Sequence, residues 1–129
     1  MGKINSRAKG AAGEREAADW LQRKFKLEKK PQRNLEQVRS GGFDLDGFEP
    51  FAMEIKRCEA LSLRNWWVQV TSACYNGQIP VVMYRRNREK WRFLISARYI
   101  GLKNGYMRLE EREFILWAKL IMEGSNGGD

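Results

Sequence analysis

The segment 43–57, which reads FDLDGFEPFAMEIKR, constrains the fold of this chain more than any other. Its Asp-Gly dipeptide predicts a chain reversal, and the apolar run that follows predicts a buried strand over Phe51–Lys56. Because alternate side chains of a strand share one face, Glu54 and Lys56 project together from that strand. The segment therefore predicts two short strands that fold back on each other, with a carboxylate and an ammonium group side by side.

A second carboxylate, Asp44, lies on the short strand before the turn, which can bring it beside Glu54. Two converging carboxylates with a lysine beside them are suited to hold a hard divalent cation and to direct a water at a phosphate. Asp46 shares the strand face of Asp44 and competes with it for this place. The alternative is that Glu54 and Lys56 form only a surface ion pair on an edge strand.

The length, charge and apolar content of the chain limit the classes of function that it can have. The 129 residues predict one domain with a real core. The 24 basic and 16 acidic residues leave a net charge of +8, which favours a polyanionic partner. Nucleic acid is preferred to a membrane, because no apolar run approaches the ~18 residues of a spanning helix and the N-terminus lacks the apolar core of a signal peptide.

The chain contains no histidine, and its two cysteines, Cys58 and Cys74, lack metal-binding spacing. A Cys/His zinc site and hydrolysis with a histidine base are therefore excluded within one chain. The free thiols fit a reducing, cytoplasmic setting. Any chemistry is expected to use carboxylates, lysine, hydroxyl groups and a metal ion.

The first helix is predicted from Ser6 to about Phe25. Glu14 falls on the apolar stripe of this helix, and a core-facing acid costs free energy unless it is paired or binds a cation. Both a place in the functional site and a structural pairing, with an arginine or with strand amides, are open for Glu14. Gly10 lies on the same stripe and predicts the close approach of a bulky group.

The rest of the chain predicts a further series of elements. These are a strand over 33–39, a helix from Leu63 to Asn76 capped by Ser62 and ended by Gly77, strands over Pro80–Tyr84 and Trp91–Ile95, an irregular segment over 97–109, a helix over 110–122 and a disordered tail over 125–129. The last helix is apolar over most of its circumference, which predicts either burial within its own domain or a partner surface.

The pattern Asp44-x9-Glu54-x-Lys56, preceded by the turn Ser40-Gly41-Gly42, resembles the signature of the PD-(D/E)xK nuclease superfamily. Phe43 stands where that family usually has proline. With the order of its elements, the chain looks most like the small archaeal-type and phage Holliday-junction resolvases, from Glu14 to Ile95. The resemblance implies an α/β fold of the restriction-endonuclease type, a mixed β-sheet flanked by helices, in a single domain over residues 1–124.

The resemblance also implies the functional residues. The catalytic set would be Glu14, Ser40, Asp44, Glu54, Lys56 and Gln69. The ligands of Mg²⁺, for which Mn²⁺ is expected to substitute, would be Asp44, Glu54 and the carbonyl of Ile55. The contacts to DNA phosphates would come from Arg7, Lys9, Arg39 and Arg57.

The implied function is metal-dependent cleavage of branched or duplex DNA, in particular resolution of Holliday junctions by a homodimer during DNA recombination and repair. The implied setting is the cytoplasm of a prokaryote or of a phage-infected host. A non-specific, nicking or restriction-type endonuclease is the nearer alternative. A non-catalytic module that binds single-stranded DNA, with Trp66 and Trp67 stacked on bases, is the alternative from another class.

Overall fold

The computed structural model describes residues 6–34, 43–57, 59–74 and 77–127, without the side chains of residues 6–9 and 125–127. Its strands form one six-stranded sheet in which the spatial order follows the order in the chain. Strands β3 and β4 are parallel, and the remaining neighbours are antiparallel. The elements are α1 (Ser6–Phe25), β1 (Gln32–Arg33), β2 (Leu45–Asp46), β3 (Phe51–Arg57), α2 (Leu63–Ala73), β4 (Ile79–Arg85), β5 (Arg92–Ser96), a 3-10 helix (Ala97–Ile100), β6 (Tyr106–Glu110) and α3 (Glu111–Gly127).

Helices cover both faces of the sheet. Apolar residues of α1 and α3 pack on one face, where the rings of Phe93 and Phe114 stack with centroids 4.0 Å apart. A smaller cluster on the other face joins α2 to β4 and β5 through Trp66, Val70 and Leu94. The predicted architecture, a mixed sheet flanked by helices in one domain, is therefore confirmed.

Gly13 allows α1 to lie close to the end of β3. A Cβ atom on Gly13 would lie 2.8 Å from the Cβ atom of Arg57, closer than side-chain carbons pack. Glu16, one turn further along α1, forms ion pairs with Arg57 and Arg85 at 3.3 and 2.8 Å. The expectation for Gly10 is wrong, because Gly10 is exposed and no described atom lies within 4 Å of the place of its Cβ. The close approach occurs one turn later, at Gly13.

The predicted elements agree with the structure in type, apart from one strand. Residues 97–109 were expected to be irregular, but they contain the 3-10 helix and most of β6. The predicted strand over 33–39 is described only at its first residues, where β1 forms, since residues 35–42 lie outside the described ranges.

The helix bounds differ in detail from the predicted ones. Helix α2 ends at Ala73, three residues before the predicted end, and Cys74 has an extended conformation. The side chain of Ser62 caps no backbone amide of α2 and instead accepts a hydrogen bond from Nδ2 of Asn65. Helix α3 continues to Gly127, three residues into the predicted tail. None of the helices in the described part of the chain has the length and apolar character that a membrane crossing requires.

Candidate active site

Asp44 and Glu54 are the buried acids of the sheet. Asp44 is 5% exposed and Glu54 is 2% exposed. The pairing of Leu45 with Met53 sets Asp44 beside Glu54, on the face of the sheet opposite the α1–α3 core. The amide of Asp44 donates to the carbonyl of Met53 at 2.8 Å. Its carboxylate accepts the amide of Ile55 at 2.7 Å, so the side chain takes the place where the strand ladder would otherwise continue.

Glu54 lies in an unfavourable electrostatic environment. Burial raises the pKa of Glu54 to about 7, and the neighbouring charge of Asp44 adds to the rise, while Lys56 opposes it. Nζ of Lys56 lies 3.4 Å from Oε2 of Glu54. The other carboxylate oxygen, Oε1, is buried and has no hydrogen-bond partner among the described residues. A buried carboxylate oxygen normally has a hydrogen-bond donor or a cation as its partner.

The geometry around these acids fits a divalent cation. Alternate residues of a strand direct their backbone groups to the same neighbour, so the carbonyl of Ile55 faces the side of Asp44, as its amide does. Two carboxylates and a carbonyl are the oxygen ligands that Mg²⁺ and Ca²⁺ prefer. Within the described ranges, no group of three or more acidic, cysteine or histidine side chains forms a metal cluster. A cation would therefore depend on this pair of acids, the Ile55 carbonyl and solvent.

Glu14, on α1, interacts electrostatically with the same acids. Burial raises the pKa of Glu14, a hydrogen bond from Arg33 lowers it, and the charge of Asp44 raises it again. Nε of Arg33, on β1, donates to Oε1 of Glu14. Glu14 thus has the predicted arginine partner, and its charge also acts on Glu54, while its place in the functional site stays a prediction.

Arg33 is the residue of this site that the sequence interpretation missed. It is separated from Glu14 by 19 positions and lies on a strand of two residues. Nothing in a short, exposed strand distinguishes a site arginine from a solvated one. Arg33 can be linked to the site only through the pairing of β1 with β2. This pairing places Arg33 at the edge of the sheet, beside Glu14 of α1.

The remaining predicted site residues do not all converge on Asp44 and Glu54. Ser40 and Arg39 lie outside the described residues, as do the side chains of Arg7 and Lys9. Gln69 is exposed on α2, and no hydrogen bond or ion pair between described residues joins it to the acids.

Two further positions can be placed against their predictions. Asp46, the competitor of Asp44, is exposed and paired in register with Gln32, so the geometry favours Asp44. Arg57 pairs with Glu16 on the α1 side of the sheet, where it supports packing rather than a free contact to phosphate. The prediction of a phosphate contact for Arg57 stays a prediction without geometric support.

The two tryptophans of α2 are engaged within the protein. Trp66 is buried against Tyr84, with ring centroids 5.5 Å apart. Trp67 is partly buried and lies 6.0 Å from the ring of Tyr106. A stacking platform for bases needs aromatic faces that are open to solvent. The structure therefore disfavours the single-strand-binding alternative.

Comparison with known proteins gives one family and one solved structure of interest. Residues 5–119 match the model of a family described as "Phage putative PDDEXK endonuclease". The chain is also similar to Hjc, a Holliday junction resolvase from the archaeal hyperthermophile Archaeoglobus fulgidus, whose structure is known at 1.6 Å resolution. The identity is 21%, over 81% of this chain and 88% of that chain, with a TM-score of 0.41. No curated protein matches the chain.

Proposed function

The chain belongs to the phage family of PDDEXK endonucleases, enzymes that hydrolyse DNA, and on that premise we propose that it is a Mg²⁺-dependent nuclease selective for four-way DNA junctions. The proposal of metal-dependent catalysis is supported by the buried pair of Asp44 and Glu54, with Lys56 beside Glu54. Burial of two neighbouring carboxylates costs free energy unless hydrogen bonds or cations compensate, and Oε1 of Glu54 has no hydrogen-bond partner among the described residues. A buried acid with a raised pKa beside a second carboxylate is typical of a functional site.

Asp44, Glu54 and the Ile55 carbonyl would hold the cation. When bound, Mg²⁺ would polarise the scissile phosphate and lower the pKa of a water molecule. Lys56 would orient that water and offset negative charge on the pentavalent phosphorus, since its ammonium group already lies at the carboxylate of Glu54. Glu14 would add negative charge near Asp44 and Glu54. Arg33 would hold Glu14 in place through its hydrogen bond.

The junction preference rests on the resemblance of the motif and on symmetry. A four-way junction has two strands of like polarity related by a two-fold axis, so a symmetric cut requires two sites. One chain carries a single set of Asp44, Glu54 and Lys56. We therefore propose a homodimer. Leu116 and Leu120 of α3, which are 58% and 68% exposed, support a contact between two copies along that helix.

The test is cleavage of four-way, flap and linear duplex DNA side by side, with Mg²⁺ or with EDTA. We expect the four-way junction to be cut fastest, and only with the metal. Glu54→Gln and Asp44→Asn should abolish cleavage while circular dichroism stays unchanged. Cleavage by both variants would remove the assigned site. Equal cutting of all three substrates would remove the junction preference and favour a non-specific, nicking or restriction-type enzyme.

A further inference from the structure

A groove lies past the end of β4, on the side of the sheet that α1 covers. Its volume is about 620 Å³. One wall is formed by the second half of α1, and the other by residues 86–91, the turn that joins β4 to β5. Arg23 and Lys24 line the first wall, and Arg88 and Lys90 line the second. We call this space the α1–turn groove.

The four cationic side chains of Arg23, Lys24, Arg88 and Lys90 are open to an external anion. Each of these residues is exposed. Within the ranges that the structure describes, none of them forms an ion pair with a carboxylate. An exposed guanidinium or ammonium group without an acidic partner keeps its charge available for a ligand. The groove thus presents two such cations from each wall.

The acids of the groove do not cancel this charge. Glu16 pairs with two arginines and Asp19 with a lysine. The carboxylate of Glu111 accepts the amide of Trp91 at 3.1 Å, and Glu89 is exposed. Four cations without an ion pair therefore stand against two such acids in the described part of the groove. A cleft with an excess of one charge attracts a ligand of the opposite charge.

Contacts within the protein hold the two walls together. Nη2 of Arg85, the last residue of β4, lies 2.8 Å from Oε1 of Glu16 on α1. Its guanidinium group also lies 5.2 Å from the centre of the Trp91 ring, and Nη1 donates to the carbonyl of Glu89 at 3.2 Å. The lining includes Trp20 and Trp91, which are almost fully buried. A groove whose walls are held in place loses little conformational freedom when a ligand binds.

The groove begins at the same end of the sheet as the proposed catalytic lysine. Strands β3 and β4 are parallel, with Lys56 opposite Tyr84 and Arg57 opposite Arg85. Because Arg85 lines the groove and neighbouring strands lie about 4.8 Å apart, the groove starts one strand away from the residue that follows Lys56. It lies on the α1 side of the sheet, whereas Glu54 lies on the other face. The groove is therefore a separate surface close to the proposed site.

We propose that the α1–turn groove binds the phosphate backbone of a DNA arm that leads away from the cleaved position. The proposal rests on the proposed function, since it assigns a second contact to the substrate of the same site. A specific protein–DNA interface buries about 1,000–2,500 Å² of protein surface, so the substrate has to contact surfaces beyond the two acids. Arginine binds phosphate oxygens through two parallel hydrogen bonds, and lysine binds them as a point charge.

The experiment measures binding of a four-way junction by Glu54→Gln, which leaves the substrate uncut, with and without the additional changes Arg23→Gln and Lys90→Gln. These changes remove one cation from each wall. Each phosphate contact contributes about 0.9 to the slope of log K against log salt. Loss of two contacts should therefore lower the slope by about 1.8 and weaken binding roughly 60-fold at about 0.1 M salt.

The matched control, in the same background, is Arg98→Gln with Lys103→Gln, which also removes one arginine and one lysine. Both residues are exposed and lie past the opposite end of β5 from the turn. We expect the control to keep the slope of Glu54→Gln. A groove variant with the same slope as the control would overturn the proposal.

A second measurement does not depend on the stability of the variants. Uncharged methylphosphonates replace a block of neighbouring phosphates in one arm of the junction at a time, and binding is measured for Glu54→Gln and for the groove variant. We expect one block away from the cleaved position to weaken binding by Glu54→Gln and to have no further effect on the groove variant. The proposal fails when no arm shows this coupling. Absence of cleavage by the wild type, with groove-dependent binding intact, would overturn the proposed function alone.

Discussion

Glu54 is buried beside Asp44, and this arrangement couples the stability of the protein to pH. The pKa of Glu54 is raised from 4.5 to about 7, so the folded state keeps a proton that the unfolded state has already released between those values. In the metal-free protein, the stabilising effect is full below pH 4.5 and is lost as pH rises through 7. The loss is on the order of 3 kcal/mol.

Chemical unfolding in EDTA at pH 5 and pH 8 checks this prediction. The wild type should be less stable at pH 8, whereas Glu54→Gln should lose most of the difference because it has no carboxylate to ionise. Addition of Mg²⁺ at pH 8 should stabilise the wild type and leave Glu54→Gln unchanged. Equal pH dependence of the two proteins would contradict the origin of the effect in Glu54.

Glu14 is expected to act on the reaction from α1. Glu14→Gln should lower turnover by more than tenfold, which corresponds to more than ~1.4 kcal/mol of barrier, because its charge is sensed at both Asp44 and Glu54. Asp19→Asn is the matched control, since Asp19 is an exposed acid of the same helix that pairs with Lys30. Turnover unchanged in Glu14→Gln would leave the residue only a structural partner of Arg33.

At the residue scale, the sequence pattern alone was enough to predict which side chains are neighbours when both lie on the same strand. The alternation of β3 placed Glu54 and Lys56 on one face, and the turn that follows Asp44 brought the second acid beside them. The choice between Asp44 and Asp46 needed the register, which depends on how the turn closes. The pairing of Glu14 with Arg33 needed the whole sheet, because the two side chains meet through separate elements.

At the scale of elements, the contact between α1 and β3 depends on one missing side chain. Gly13→Ala should force α1 away from Arg57, because the new methyl group would lie 2.8 Å from its Cβ. Overpacking of this kind costs about 1–3 kcal/mol. Gly10→Ala, at an exposed helical position, should instead stabilise the protein by about 1 kcal/mol through helix propensity.

Equilibrium unfolding of the two alanine variants, together with their cleavage rates, measures the effect. The displacement of α1 should also move Glu14, so Gly13→Ala is expected to lose activity in addition to stability. The interpretation fails when Gly13→Ala is as stable and as active as Gly10→Ala.

The elements show which signals in a sequence are strong and which are easily missed. Helix α1 has the predicted bounds, because its stripe is long and periodic. Strand β6 was missed, although Asn104-Gly105 is a turn signal and Met107 and Leu109 alternate with polar residues after it. Strand β6 has the same length as β5, but the glycines and polar residues before it and the acidic start of α3 after it mask its alternation.

At the scale of the whole molecule, the proposed dimer depends on the exposed side of α3. Phe114 and Ala118 are buried against the sheet, whereas Leu116 and Leu120 point to solvent. The sequence indicated an apolar circumference, but only the packed structure separates the inner face from the outer one.

Light scattering at micromolar concentration tests the dimer. We expect a dimer for the wild type and a monomer for the variant with Leu116→Glu and Leu120→Glu, because two buried charges would cost more than the contact provides. Val68→Glu, at an exposed position on α2, is the control and should stay a dimer. A wild type that is monomeric, both free and on junction DNA, would leave a nicking enzyme in place of a resolvase.

The sequential order of the strands also bears on how a newly made chain folds. Each strand pairs with the one synthesised just before it, so the sheet can grow by short loop closures. Helix α1 is made first, but its Glu16 pairs with Arg85, 69 residues later. Glu14 lies on the same helix and pairs with Arg33, so we expect the place of α1 to be set in steps, as β1, β3 and β4 join the sheet. A chain that ends before β4 would lack the ion pair between Glu16 and Arg85, so we expect such a fragment to hold α1 less firmly against the sheet.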